Sequence, residues 1–272
     1  NNMRNSFKTM LILALGAGMA TLSSCTEDEG NDPDPVAPVI VCYPTTITTV
    51  DDEDDTETTK YEYNDENQLI KSTYAFDGGQ DITTFTYTDG KLATTTSGDE
   101  VSTFIYDAGS DIPSRINITN DGEDVGFTVI TSTGANITKV ENSYYQDNEA
   151  ILSDVTTLTY TGGQLTGAKT ENYDADSETF TTEVELSDFV FDGKKSPYNG
   201  NFAFAFEQDF NPLTLVPSNI VSANLVAELE GQEIKLPYTG TYTYNENEYP
   251  VTSTQEISGF FGTDFTFEYD CK

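Results

Sequence analysis

The chain has 272 residues and carries 47 acidic against 12 basic side chains, with a formal net charge of −35 and neither His nor Trp. Such a charge repels nucleic-acid phosphates and anionic lipid headgroups and favours a monomer, so we expect neither polyanion as a partner. The lack of His excludes Ser-His-Asp and Cys-His catalysis and the usual His/Cys zinc sites.

Residues 1–24 have the order of a secretory leader, with Arg4 and Lys8 followed by the apolar run at 10–20. That run is too short to span a bilayer as a stable helix. The leader ends in LSSC at 22–25, which resembles a bacterial lipobox. The resemblance implies cleavage before Cys25 and acylation of that residue, which makes the membrane a partner through acyl chains. The alternative is an ordinary secretory signal with a chance Cys.

Residues 25–39 continue as an acidic, Pro-containing tether, CTEDEGNDPDPVAPV. Its prolines make it extended and semi-rigid. Acidic residues directly behind the acylated Cys resemble the export signal of surface lipoproteins in Bacteroidota. The implied location is the outer membrane, lipid-anchored and exposed at the cell surface. An anchor that faces the periplasm is the alternative.

Residues 40–272 repeat one short pattern, an aromatic-x-aromatic pair followed by a turn. FTYTDGKLATTTS at 85–97 and LTYTGGQLTGAKT at 158–170 are two copies. Residues two apart on a strand point to one face, and the intervening residue is mostly polar, so each copy predicts a β-hairpin with one buried face. The leading slots are filled by Tyr61/Tyr63, Phe85/Tyr87, Phe104/Tyr106, Leu158/Tyr160, Phe189/Phe191 and Tyr242/Tyr244.

Turn signals recur every eight to twelve residues, and no sustained helical stripe follows the leader. The sequence therefore predicts an all-β fold in a single repeat-built domain over 40–272. We expect roughly 14 strands in a large antiparallel up-and-down meander, curled or closed into a soluble barrel-like sheet.

The repeat resembles the YD-type repeat of bacterial surface proteins, in a loose form that lacks the usual Gly-Arg. Together with the lipobox, the acidic leader and DGKKSPYNG at 192–200, the chain resembles a group of Bacteroidota surface lipoproteins of unknown function with a porin-like β-fold. The resemblance covers about residues 40–272 and rests on short motifs. It implies fold and location and supplies no catalytic residues.

Cys42 and Cys271 lie in strand-like runs at opposite ends of this domain. In an oxidising compartment they can form a disulfide, which would make the first and last strands neighbours. The alternative is two unpaired thiols.

The segment 201–219 breaks the alternation, because Ala separates its aromatic residues and both faces are apolar. We expect roughly 198–217 to pack against or inside the curled sheet as a plug, since a wide sheet needs filler. A binding patch is the alternative. The buried cluster would consist of Phe202, Phe204, Phe206 and Phe210.

Two acidic clusters offer oxygen ligands for calcium, although neither matches an EF-hand loop. A solvated loop is the other reading of both, and no further cofactor is expected. The candidate ligands are Asp51, Asp52, Glu53, Asp54 and Asp55 in one cluster and Asp174, Asp176 and Glu178 in the other.

These observations predict a non-enzymatic, lipid-anchored surface protein with a binding or structural role. One alternative is a glycan-capture accessory of an outer-membrane uptake system, with a glycan or an outer-membrane protein as partner. Another is a hydrolase that uses paired carboxylates. A transmembrane porin is disfavoured because Thr, Glu and Asp occupy the outward slots of the strands.

Overall fold

The computed structural model describes residues 40–53, 55–198, 201–207, 210–229, 232–258 and 261–272. Within these ranges the chain forms sixteen β-strands and two short 3-10 helices. The strands are β1 (Cys42–Asp51), β2 (Thr56–Tyr63), β3 (Leu69–Phe76), β4 (Gly79–Thr88), β5 (Lys91–Ser97), β6 (Glu100–Tyr106), β7 (Pro113–Asn120), β8 (Glu123–Thr133), β9 (Asn136–Gln146), β10 (Glu149–Thr161), β11 (Gln164–Asp174), β12 (Thr179–Phe191), β13 (Ile220–Leu229), β14 (Gln232–Tyr244), β15 (Pro250–Ile257) and β16 (Phe261–Cys271). The 3-10 helices are Phe202–Phe206 and Pro212–Leu215, between β12 and β13.

Each strand pairs antiparallel with its neighbours in sequence, and β1 pairs with β16, so the sheet is a closed up-and-down barrel. The predicted all-β meander is confirmed, with sixteen strands among the described residues where roughly 14 were expected. Closure removes the two free edges that an open sheet would expose.

The seam between β1 and β16 carries the disulfide. Cys42 and Cys271 are direct partners in the register, and their sulfur atoms are bonded at 2.05 Å. We call this end of the barrel the disulfide rim and the opposite end the far rim. Odd-numbered strands begin at the disulfide rim and even-numbered strands end there, so both ends of the domain lie at the same rim.

Local sequence explains the hairpins. Asp89 and Gly90 join β4 to β5 with φ angles of 52° and 79°. Successive residues with positive φ give a turn whose twist matches that of the flanking strands, and Asp-Gly adopts it at low cost. In β4 the side chain of Phe85 is buried, whereas Thr84 and Thr86 on either side of it are exposed. The alternation therefore places one face of each strand inside the barrel.

The second aromatic residue of the repeated pair, usually Tyr, links neighbouring strands by a hydrogen bond at the disulfide rim. The hydroxyl of Tyr87 in β4 donates to the carbonyl oxygen of Leu69 at the start of β3, at 2.9 Å. The same hydrogen bond, from an even strand back to the start of the preceding strand, recurs around the rim. Its other members are Tyr63 to Pro44, Tyr106 to Leu92 and Tyr269 to Pro250. In β14 the first slot makes the bond instead, from Tyr242 to Ile220.

A register shift precedes the repeated tyrosine in several of these strands, as between Thr86 and Tyr87. A β-bulge of this kind re-aims the side chain that follows it. The bulge and the hydroxyl together explain why the second slot is usually Tyr. Among the described residues, no helix has the length and apolar character needed to cross a membrane.

Candidate functional site

The inside of the barrel is divided along its axis. Toward the disulfide rim the inward side chains are apolar and form one continuous core, which includes Ile47, Leu69, Phe85 and Phe267. Toward the far rim the inward side chains of β4 become polar and more accessible, since Thr83 is buried and Asp81, two residues further on the same face, is exposed. On β15, by contrast, Ile257 at the far rim is apolar and buried. We call this part of the interior the far half of the lumen.

A plug, made of the described residues 198, 201–207 and 210–216, packs into the apolar half. Within it, the ring of Phe204 contacts Tyr61 of β2 at a centroid distance of 5.2 Å, and the ring of Phe206 contacts Phe104 of β6 at 5.4 Å. Both contacts are edge-to-face, the geometry that aromatic pairs prefer. Phe204 and Phe206 are buried, and Phe202 and Phe210 are partly buried against the same core. The predicted cluster therefore lies inside the barrel, on a 3-10 turn and the residues after it.

Asp192 connects the two ends of the segment between β12 and β13, which contains the plug. Its carboxylate accepts hydrogen bonds from the backbone N–H of Lys194 at 2.8 Å and from the side-chain amide of Asn219 at 3.0 Å. It also accepts the hydroxyl of Tyr244 on β14. Asn219 immediately precedes β13, so one carboxylate joins the two ends of the insertion and a neighbouring strand.

The far half of the lumen contains a hydrogen-bonded network on β8 to β12. The hydroxyl of Thr128 donates to the side-chain oxygen of Asn142 at 2.7 Å, and the amide of Asn142 donates to Asp154 at 2.8 Å. On β12, Glu183 bonds to the side chain of Asn172. Burial, and then the negative charge of Asp154, raise the pKa of Glu183. The structure thus places two carboxylates, Asp154 and Glu183, within electrostatic range on the inner wall.

Glu207 lies where the plug meets the inner wall. Its carboxylate accepts the hydroxyl of Tyr61 at 3.3 Å and is hydrogen-bonded to Ser72 on β3. Loss of hydration raises the pKa of Glu207 to about 7, despite the opposing effect of these two bonds. Phe206 beside it is buried, but Glu207 keeps part of its surface accessible. Glu207 is therefore an acid inside the barrel that is poised near neutral pH.

No basic side chain of the described residues faces this interior. Apart from Arg4 and Lys8, every basic residue of the chain is described, and each lies outside the lumen. The outer wall carries Lys60, Lys71, Arg115, Lys139, Lys169 and Lys235. The disulfide rim carries Lys91, Lys194, Lys195 and Lys272.

The acidic clusters considered for calcium lie in two turns at the far rim. The carboxylate of Asp51 accepts the backbone N–H of Glu53 and of Asp55, and that of Asp52 accepts the N–H of Gly262. In the other turn, the carboxylate of Asp174 accepts the N–H of Asp176 at 2.9 Å. These carboxylates cap turns.

Within the described ranges, no group of three or more Asp, Glu, His or Cys is arranged to hold a metal. Calcium binding stays a prediction. Glu178, the last candidate ligand, is a turn residue with a φ of 53°. Asp54 and the predicted lipidation site Cys25 lie outside the described residues.

Two aromatic pairs lie on the outer wall, and each has one exposed ring, Tyr145 or Phe180. Phe127 and Tyr145 pack across β8 and β9 with centroids 5.7 Å apart, and Tyr173 and Phe180 pack across β11 and β12 at 5.0 Å. The rings in each pair are tilted by 51°. The guanidinium of Arg115 lies 3.8 Å from the centroid of Phe127. These rings do not form a flat platform.

Sequence reasoning did not single out Asp154, Glu183, Asp192 or Glu207. Glu207 follows the Phe-rich run that was predicted to be buried, and this position was the one available signal for it. For the others, the strand register decides which acids face inward.

A solved structure of a porin-like protein from Bacteroides uniformis resembles this barrel. The two share 11% sequence identity and superpose with a TM-score of 0.53, over 84% of this chain and 96% of the other. At this identity the likeness concerns the fold. No protein-family profile matches the chain, and no curated protein sequence does.

Proposed function

We propose that the protein is a non-enzymatic, lipid-anchored barrel on the outer surface of a bacterial outer membrane, with a binding or structural role. The observation that carries the proposal is the lipobox-like LSSC at 22–25, followed by the acidic tether. The likeness to a porin-like protein is compatible with an outer-membrane location.

The position of the tether supports a definite orientation. The described chain starts beside the disulfide rim, where the N–H of Val41 donates to the carbonyl of Lys272 at 3.0 Å. An anchor at Cys25 would therefore hold the plugged rim toward the membrane. The far half of the lumen, with its accessible acids and polar groups, would face away from the cell.

Charged side chains on the outer wall support a barrel that is surrounded by water. Glu141 of β9 and Glu171 of β11 lie on this wall, one on each side of Val155 of β10 in the register. Each glutamate pairs with a lysine on its own strand, at 2.6 Å. Charges at the mid-height of a wall are costly against lipid. A polar wall and a plugged interior both favour presentation of a surface over conduction through a pore.

The test is the location of Cys25→Ala in the native bacterium, with the wild type processed in parallel. We expect the wild type in the outer-membrane fraction and accessible to an impermeant amine-reactive label on intact cells. The variant should leave the membrane fraction, because one substitution removes every acyl chain. Membrane association that is unchanged in the variant contradicts the anchor, and a wild type that is labelled only after lysis contradicts surface exposure.

A glycan-capture role is the second candidate, and the exposed aromatic pairs on the outer wall favour it. The side chains of Tyr145 and Phe180 are 36% and 48% exposed, so part of each ring is open to a ligand. Sugar rings stack on exposed aromatic faces, and these pairs offer single exposed rings instead of a coplanar platform. Glycan-array binding that survives Tyr145→Ala and Phe180→Ala, or no binding at all, argues against this role.

The carboxylates of Asp154 and Glu183 are the arrangement closest to a hydrolase site. We propose that they are structural, because Asn142 and Asn172 hold them in a wall network. Release of reducing ends from mixed polysaccharides by the wild type, and not by Asp154→Asn, contradicts a non-enzymatic role.

A further inference from the structure

The carboxylate of Glu207 has hydrogen-bond donors but no counter-charge. Its neighbours are Tyr61 and Tyr63 of β2, Ser72 of β3 and Tyr198 of the plug, all of them neutral hydroxyl groups. None of the basic residues at positions 40–272 faces the lumen. An ionised carboxylate away from bulk water is costly unless a cation accompanies it.

The lumen around Glu207 is acidic as well. Inward-facing Glu57 pairs with Thr49 of β1, and its carboxylate is hydrogen-bonded to Tyr74. Asp81 lies beside Tyr74 in the register, and Asp154 and Glu183 lie on the opposite side of the lumen. Walls that carry one sign of charge concentrate ions of the opposite sign. The far half of the lumen therefore attracts cations toward Glu207.

The groups near Glu207 suit an ammonium better than a metal ion. A primary ammonium has three N–H donors, which the carboxylate and the hydroxyl oxygens of Ser72 and Tyr61 can accept. A hard divalent metal prefers six or more oxygen ligands, several of them charged, and Glu207 is the one carboxylate in this group.

We propose that Glu207 anchors a binding site for a primary alkylammonium group at the floor of the lumen, entered from the far rim. The ligand class is a small organic amine or the amino group of a larger molecule whose remainder lies in the acidic far half. This site is independent of the lipid anchor and of the outer-wall aromatic pairs.

Protonation of Glu207 competes with the amine. Because burial raises the pKa of this carboxyl to about 7, much of it is neutral in mildly acidic solution. Binding of an alkylammonium then requires loss of that proton, so affinity rises with pH until Glu207 is fully ionised. An adventitious association with the acidic outer surface lacks this dependence, since surface carboxylates are already ionised.

The experiment is calorimetric titration of the full chain with propylammonium chloride against sodium chloride of equal ionic strength. We expect saturable binding at about pH 8 that weakens about tenfold or more near pH 5.5. Glu207→Gln should lower affinity at pH 8 by about tenfold or more, because it keeps the shape and removes the charge. Glu246→Gln, which removes one charge from an exposed turn at the disulfide rim, is the matched control and should bind like the wild type.

Equal binding by wild type, Glu207→Gln and Glu246→Gln overturns the proposal, as does the absence of saturable binding to the wild type. If Glu207→Gln fails to fold, the wild-type pH profile decides instead. An affinity that does not change between about pH 5.5 and pH 8 overturns the site, and one that rises with pH supports it.

Discussion

The hydroxyl of Tyr87 donates to the carbonyl oxygen of Leu69 at 2.9 Å, and so ties the end of β4 to the start of β3. Tyr160 occupies the equivalent slot of β10, yet its hydroxyl has no hydrogen-bond partner among the described residues. The two tyrosines are therefore a natural pair for measuring the contribution of the hydroxyl at the disulfide rim.

Tyr87→Phe should lower the free energy of unfolding by about 1–2 kcal/mol, because it removes one hydrogen bond and leaves a carbonyl oxygen without its partner. Tyr160→Phe should change it by less than about 0.5 kcal/mol. Urea unfolding followed by circular dichroism measures both. Equal effects of the two substitutions contradict a specific role for the Tyr87 hydroxyl.

Breaking the disulfide should destabilise the barrel strongly. Cys42 and Cys271 are separated by 229 positions, so the bond closes almost the whole domain. Restriction of the unfolded chain by a cross-link of this kind is worth about 2–5 kcal/mol. The double variant Cys42→Ala/Cys271→Ala, or the wild type in reductant, should melt earlier in calorimetry. Reductant should leave the double variant unaffected, and a wild type with unchanged melting would count against the seam bond.

Stability should depend on pH through Glu207. Its pKa is raised in the folded state, so the folded protein holds a proton that the unfolded chain has already released. Stability contributed by this proton is present below the unfolded-state pKa of about 4.5 and falls as pH rises to about 7. The total loss is on the order of 2–3 kcal/mol, reduced by water at the accessible part of the side chain.

The measurement is the unfolding free energy of wild type and Glu207→Gln at several pH values. The difference between the two proteins isolates Glu207 from the many other carboxylates. We expect the wild type to lose stability relative to the variant between about pH 4.5 and pH 7. A constant difference across this range means that Glu207 titrates as a solvated acid.

Two buried hydroxyl groups provide a further contrast. The hydroxyl of Ser253 in β15 is buried without a hydrogen-bond partner, whereas that of Thr128 in β8 donates to Asn142 at 2.7 Å. Ser253→Ala should be neutral or stabilise by up to about 1 kcal/mol, because an unpaired buried hydroxyl is unfavourable. Thr128→Val should cost about 1–3 kcal/mol. A large loss for Ser253→Ala would reveal a partner such as an ordered water.

The strands could be predicted from the sequence because their signals are local. A pair such as Phe85 and Tyr87, followed by Asp89-Gly90, fixes a hairpin and its buried face within a few residues. The strand count was less accurate where the pattern fades. In β8 the corresponding inward positions are Ile130 and Ser132, so no aromatic pair marks that strand.

The lumen could not be predicted in the same way. Glu207 is one of 47 acidic residues, and its neighbours Tyr61 and Ser72 are more than a hundred positions away in sequence. Which acids face inward depends on the register of every strand and on where the plug lies. The Phe-rich run predicted its own burial, but it did not predict that Glu207, the next residue, would lie inside the barrel as well.

The pairing of β1 with β16 has a consequence for biogenesis. The strand that is synthesised first has no partner on one side until the strand that is synthesised last is available. Until then the growing sheet exposes two unpaired edges, and the barrel can close only after the whole domain has been synthesised. The unpaired edges are the part of this fold most exposed to wrong pairing with another chain before closure.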